Sequence, residues 1–102
     1  MSEENFMDKL MGEIDVVKRH LQILKIIQRE GPIGIIKLSE KTGLPSHKVR
    51  YSLRVLETHH LVEPSANGAI ITEKTENFMH TLGKAIEEIE RKVKELAEDV
   101  PR

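Results

Sequence analysis

Cysteine is absent from the 102 residues. That removes disulfides, thiolate nucleophiles and cysteine-held zinc or iron–sulfur sites together, and fits an intracellular chain. Tryptophan is absent as well, and one tyrosine and two phenylalanines are the whole aromatic complement, so little material exists to wall a substrate pocket. No apolar run approaches a membrane span and no basic, apolar leader opens the chain, which predicts a cytoplasmic protein. No glycine-rich phosphate loop follows a strand, and no nucleophile has an evident base. Neither an enzyme nor a cofactor is expected. Five histidines raise the question of a metal, but adjacent His59 and His60 on a helix would point about 100° apart, short of the i, i+4 grip on zinc, so no metal site is expected.

What the chain has is charge and helical periodicity. Charged residues make up 32% and hydrophobic residues 38%, the balance of a small, surface-rich, mainly helical protein with one core. The formal net charge of −1 argues against coating nucleic acid through bulk basicity, but its distribution is uneven. Residues 45–60 hold Lys48, Arg50 and Arg54 against the single acid Glu57, while residues 73–102 hold eight acids against six bases.

Met7, Leu10, Ile14, Val17, Leu21 and Leu24 recur at alternating spacings of three and four, which predicts a helix with one apolar seam from Glu3 to Glu30. Gly12 and Asp15 leave open whether it is continuous or restarts near Asp15. Gly31 is expected as a left-handed cap and Pro32 as the stop. Ile33 reads as extended, followed by a short helix closing on Gly43, and Ser46 reads as the cap of the next helix. Asn67-Gly68 marks a hairpin turn between a strand ending near Pro64 and another at Ile70–Thr72. Leu82, Ile86, Ile89, Val93, Leu96 and Val100 then form a second seam of heptad character on a helix over residues 75–99.

That order of elements is a winged helix-turn-helix: mainly α with a small β-hairpin and long terminal helices. Residues 36–63, IKLSEKTGLPSHKVRYSLRVLETHHLVE, resemble the helix-turn-helix of small archaeal and bacterial winged-helix regulators. Residues 69–82, AIITEKTENFMHTL, resemble the strand-to-helix exit of the multiple-antibiotic-resistance and phenolic-acid regulator families. The layout with a seam-bearing tail helix is similar to small archaeal dimeric winged-helix proteins. The resemblance spans roughly residues 15–85 and implies one domain over residues 1–102. Its core would be 15–74, with helical dimerisation extensions at 1–14 and 75–102. One departure is His60, where these families often place glycine to reverse the chain.

On a helix over residues 46–60, Val49, Leu53 and Leu56 share one face, and His47, Tyr51, Arg54 and Thr58 fall opposite. Such a stripe suits the major groove of double-stranded DNA, with Tyr51 and Arg54 at base edges, Lys48 and Arg50 at phosphates and His47 in an unassigned role. Ser46 and Asn67 complete the candidate DNA-binding set. The hairpin carries no lysine or arginine, so the wing reads equally as a cover for the core edge. The two seams, through Leu10, Ile14, Leu82, Ile86, Ile89, Val93 and Leu96, predict a homodimer. A sequence-specific regulator of transcription is the reading these features favour. A winged helix used as a protein-interaction module and a low-specificity chromatin protein are the alternatives, the last disfavoured by the near-neutral charge.

Overall fold

The apolar seam of the first thirty residues outweighs the one glycine inside it. In the computed structural model, which describes residues 3–101, α1 runs without a break over Glu3–Glu30. The seam divides in function along its length. Ile23, Leu24, Ile26 and Ile27 are core, whereas Phe6, Met7, Leu10, Met11, Ile14 and Val17 are exposed. After α1 come α2 (Ile35–Thr42), α3 (Ser46–Thr58), β1 (Val62–Ser65), β2 (Gly68–Ile71) and α4 (Glu73–Glu98). Four helices with a two-stranded antiparallel hairpin make a winged helix-turn-helix-like fold. The chain divides into two compact units, one ending at Thr72 and the other, built on α4, starting at Glu73.

Within the first unit α1 packs on α2, α3 and β2. Leu38 of α2, Val49, Leu53 and Leu56 of α3, Leu61, Val62, Ala69 and Ile33 complete its core. Ile33 is extended, as expected, and exchanges both backbone hydrogen bonds with Ala69, at 3.1 and 2.8 Å, which adds a one-residue strand to β2. At the C-terminal end of α1, Glu30 Oε1 and Lys41 Nζ of α2 are 2.8 Å apart. That contact, ahead of the other charges nearby, holds the Glu30 carboxyl below its ordinary range.

Three local expectations need correction. Gly31 is not left-handed; its N–H still bonds Ile27 O at 2.8 Å, and a Cβ there would meet that carbonyl at 2.6 Å and Ala69 O at 3.1 Å. Glycine is needed for close approach rather than for φ. Ser46 is the first helical residue and not the cap. Pro45 precedes it in extended backbone at φ −65° and ψ 151°, and its carbonyl accepts from the N–H groups of Lys48 and Val49. In the hairpin, Ser65 pairs with Gly68, so the two loop residues are Ala66 and Asn67.

Both remaining chain reversals rest on positive φ. Gly43 ends α2 at φ 72°. His60, where a glycine was expected by family pattern, takes φ 59°. Its N–H bonds Glu57 O and the Leu61 N–H bonds Leu56 O, each at 2.9 Å. This is the paired bonding of a Schellman ending, closed by buried Leu56 and Leu61. Gly68 sits at φ 125°, and a Cβ on it would lie 2.5 Å from the Ile33 carbonyl carbon. The two sites should therefore respond oppositely. His60→Gly, at an exposed left-handed residue, is expected to leave stability unchanged or raise it by up to about 1 kcal/mol. Gly68→Ala should cost about 1–3 kcal/mol, since strain and a backbone clash coincide. Thermal melts of the two variants check this, and a loss in His60→Gly would contradict it.

Candidate nucleic-acid interface

A helix can present a defined face only if its other face is committed. In α3 the buried residues are Val49, Ser52, Leu53 and Leu56, all within one arc at about 100° per residue. His47, Tyr51, Arg54 and Thr58 are exposed on the far side, as the spacing predicts, with Lys48 and Arg50 exposed on the two flanks. The turn that delivers the helix is braced from α2. The Thr42 hydroxyl donates to Leu38 O at 2.7 Å and accepts from the Leu44 N–H at 3.2 Å, and the Ser39 hydroxyl donates to Leu44 O.

Among the described residues, none of Lys48, Arg50 and Arg54 is held by a carboxylate; the ion pairs are Glu30–Lys41 and those of Glu88 with Arg91 and Lys92. The α3 cations are free to meet an anionic partner. Thr58 is otherwise engaged, its hydroxyl donating to Arg54 O at 2.9 Å. On the wing, the Ser65 hydroxyl donates to Gly68 O and accepts from the Asn67 N–H at 3.3 Å, which rigidifies the turn and leaves the exposed Asn67 side chain at its tip. No three His, Asp or Glu side chains converge among the described residues.

The structure adds a cluster that the sequence reading missed. Ser52 is fully buried, a position where a hydroxyl must find partners, and α1 provides them. Arg19 Nε donates to Ser52 Oγ at 3.2 Å, and His20 Nδ1 lies 2.7 Å from the same oxygen. Arg19 also stands over the Tyr51 ring at 5.8 Å, and the His20 and Tyr51 rings are 5.8 Å apart. Tyr51 is thus half-exposed and braced by α1 instead of standing free. The available signal was a serine inside an apolar arc of α3. Its partners were not inferable, because nothing in local spacing links residues 19 and 20 to 52.

Burial first, then the Arg19 and His59 charges, hold the His20 imidazole below its ordinary value of 6.5. A neutral His20 with its proton on Nε2 accepts the Ser52 hydroxyl proton at Nδ1, while Ser52 Oγ accepts from Arg19. Between the depressed folded value and 6.5 the unfolded chain binds more protons than the folded one, so stability rises with pH there. The contribution is complete above about 6.5 and is lost as pH falls through that value toward the folded one. The thermal midpoint should accordingly fall between about pH 7.5 and about pH 5.5, and His20→Gln should flatten that fall. Equal slopes in the two proteins would show that burial and the neighbouring Arg19 and His59 leave His20 unperturbed.

The CggR N-terminal DNA binding domain family matches residues 16–86, from the middle of α1 into α4. Among solved structures, the activation domain of the phage T4 transcription factor MotA is similar at 25% identity, over 69% of this chain and 81% of that chain, with a TM-score of 0.52. No curated protein sequence matches the chain.

Proposed function

Because the chain belongs to the CggR N-terminal DNA-binding domain family, we propose that it regulates transcription by binding double-stranded DNA sequence-specifically, as a homodimer that lays α3 in the major groove. DNA binding and transcription regulation follow from the family. The matching family is named for a different regulator from the multiple-antibiotic-resistance and phenolic-acid families of the initial resemblance, and that closer kinship carries no part of the proposal. No helix among the described residues is long and apolar enough to cross a membrane.

One observation carries the finer reading: α3 exposes Lys48, Arg50 and Arg54 without carboxylate partners, opposite a face that is core. An α-helix fits the major groove, and arginine bonds guanine with two parallel hydrogen bonds. Arg54 and Tyr51 take base edges in this reading. Lys48 and Arg50 take phosphates, and Ser46 and His47 lie at the helix start, where amides favour anions. Lys48 lies one turn before Ser52, so Arg19, bonded to Ser52 through Nε, joins the same flank with its terminal nitrogens available for phosphate. Asn67 at the wing tip is a further polar contact. The seam residues Leu10 and Ile14 of α1 and Ile86, Ile89, Val93 and Leu96 of α4 are exposed, and Leu82 is half-buried. A second copy is their proposed cover.

A second reading draws on the MotA domain, described as an activation domain rather than a DNA-binding one. On that reading Arg50 and Arg54 meet an acidic protein. The two separate by mutation. Arg54→Ala should cost about 1–3 kcal/mol on a preferred duplex and flatten the preference at one position per half-site. Lys48→Ala should weaken all duplexes alike and lower the salt slope by about one counterion per contact. Fluorescence anisotropy on preferred and scrambled duplexes at several salt concentrations checks both. Unchanged DNA binding in both variants would rule out α3 as the reading helix.

A further inference from the structure

The C-terminal half of α4 presents an apolar stripe that this chain leaves open. Ile86, Ile89, Val93 and Leu96 are between 38% and 68% exposed. Their alternating spacing assigns heptad positions without ambiguity. Within α4, Ile86 and Val93 fall at a, and Leu82, Ile89 and Leu96 at d. Both of these a positions are β-branched, and two of the three d positions are leucine, the combination that among parallel coils favours two strands. The flanking residues are Glu90 and Ala97 at e and Ala85 and Lys92 at g.

From this pattern we infer that α4 pairs with α4 of a second copy as a parallel, in-register coiled coil, an inference that rests on the homodimeric reading above. In the parallel arrangement each g residue faces the e residue five positions on in the partner strand. Ala85 then meets Glu90 and Lys92 meets Ala97, so no like charges face each other, and Lys92 keeps its own-helix contact to Glu88 at 3.7 Å. The antiparallel register that covers the same stripe pairs Ile86 with Leu96 and Ile89 with Val93. It sets Lys92 against Lys92 and Glu90 against Glu90 across the two-fold axis, repulsive contacts on both sides of one seam. Sliding by a heptad relieves the repulsion but sets Leu96, 68% exposed, against the already half-buried Met79.

The orientation has a functional consequence through connectivity. α4 begins at Glu73, with only Thr72 between it and the end of β2 at Ile71. Parallel pairing joins both winged-helix units to the same end of the coil, as adjacent half-sites about one helical turn apart require. The stripe-covering antiparallel register would hold the two attachment points about 54 Å apart at the rise of an α-helix.

The chain has no cysteine of its own, so an introduced thiol has only introduced thiols to meet. Ile86→Cys and Leu96→Cys, each made in the full chain and one of them carrying a mass-distinct tag, are equilibrated alone and mixed in a glutathione redox buffer. Sedimentation equilibrium runs alongside on the unmodified protein. Each variant is expected to form its own disulfide dimer, with at least about a tenfold excess over the mixed product, since about 15 Å of helical rise separates residues 86 and 96 while disulfide-bonded Cα atoms lie within about 7 Å. A dominant mixed disulfide would mean antiparallel pairing and overturn the inference while leaving the homodimer intact. A sedimenting dimer with no disulfide in any arm would mean a slid antiparallel register or an interface away from this stripe, and either overturns it as well. A monomer at micromolar concentration would overturn the homodimeric reading itself.

Discussion

The burial of one face of α3 against α1 and α2 is the constraint from which the rest follows. Val49, Leu53 and Leu56 are nearly inaccessible, and they share the core with Ile23, Leu24 and Ile27 of α1 and Leu38 of α2. Each such side chain contributes about 1.5–3 kcal/mol relative to exposure. Turning α3 by one residue, about 100°, would surrender most of that and bury arginine in exchange. The outward set of His47, Arg50, Tyr51, Arg54 and Thr58 is therefore imposed by the core, and surface charge alone has too little energy to choose another face.

The Ser52 cluster refines this constraint. A buried hydroxyl without partners costs about 1–3 kcal/mol, so the side chains that satisfy it also fix the rotation and position of α3 along α1. Arg19 and His20 fill that role and in doing so bring a cation and an imidazole to the rim of the exposed face. Packing and electrostatics are thereby coupled at one residue: the contact that anchors the helix also adds to its charge. Lys48, Arg50 and Arg54 of α3, with Arg19 beside them, give this face of a near-neutral chain a local positive charge, which suits steering toward an anionic surface more than wholesale neutralisation of one.

Much of the fold was legible because helices and turns advertise themselves locally. Alternating spacings of three and four predict α1 and α4 nearly to their ends, and the inner face of α3 follows from Val49, Leu53 and Leu56 alone. The left-handed turn at His60 was legible from position, since the chain must reverse there whatever residue is present. Long-range contacts were not. Gly31 carries the outward signature of a left-handed cap, and its true constraint is close approach to the Ile27 carbonyl one turn back and then to the Ala69 carbonyl on a distant strand. Ser46 looks like a cap by residue type, yet the extended backbone of Pro45 fixes the helix start one residue earlier. Arg19 and His20 belong to the candidate site only because α1 crosses α3, a fact that no local period encodes.

The central claim is that the exposed face of α3 reads a DNA sequence in two symmetric copies. Selection of bound duplexes from a random pool by the full chain tests it most directly. The account predicts enrichment of an inverted repeat whose half-sites are centred about one helical turn apart, the spacing that two paired recognition helices impose. A pool that stays random after selection, or one that converges on a single unrepeated site, would contradict it.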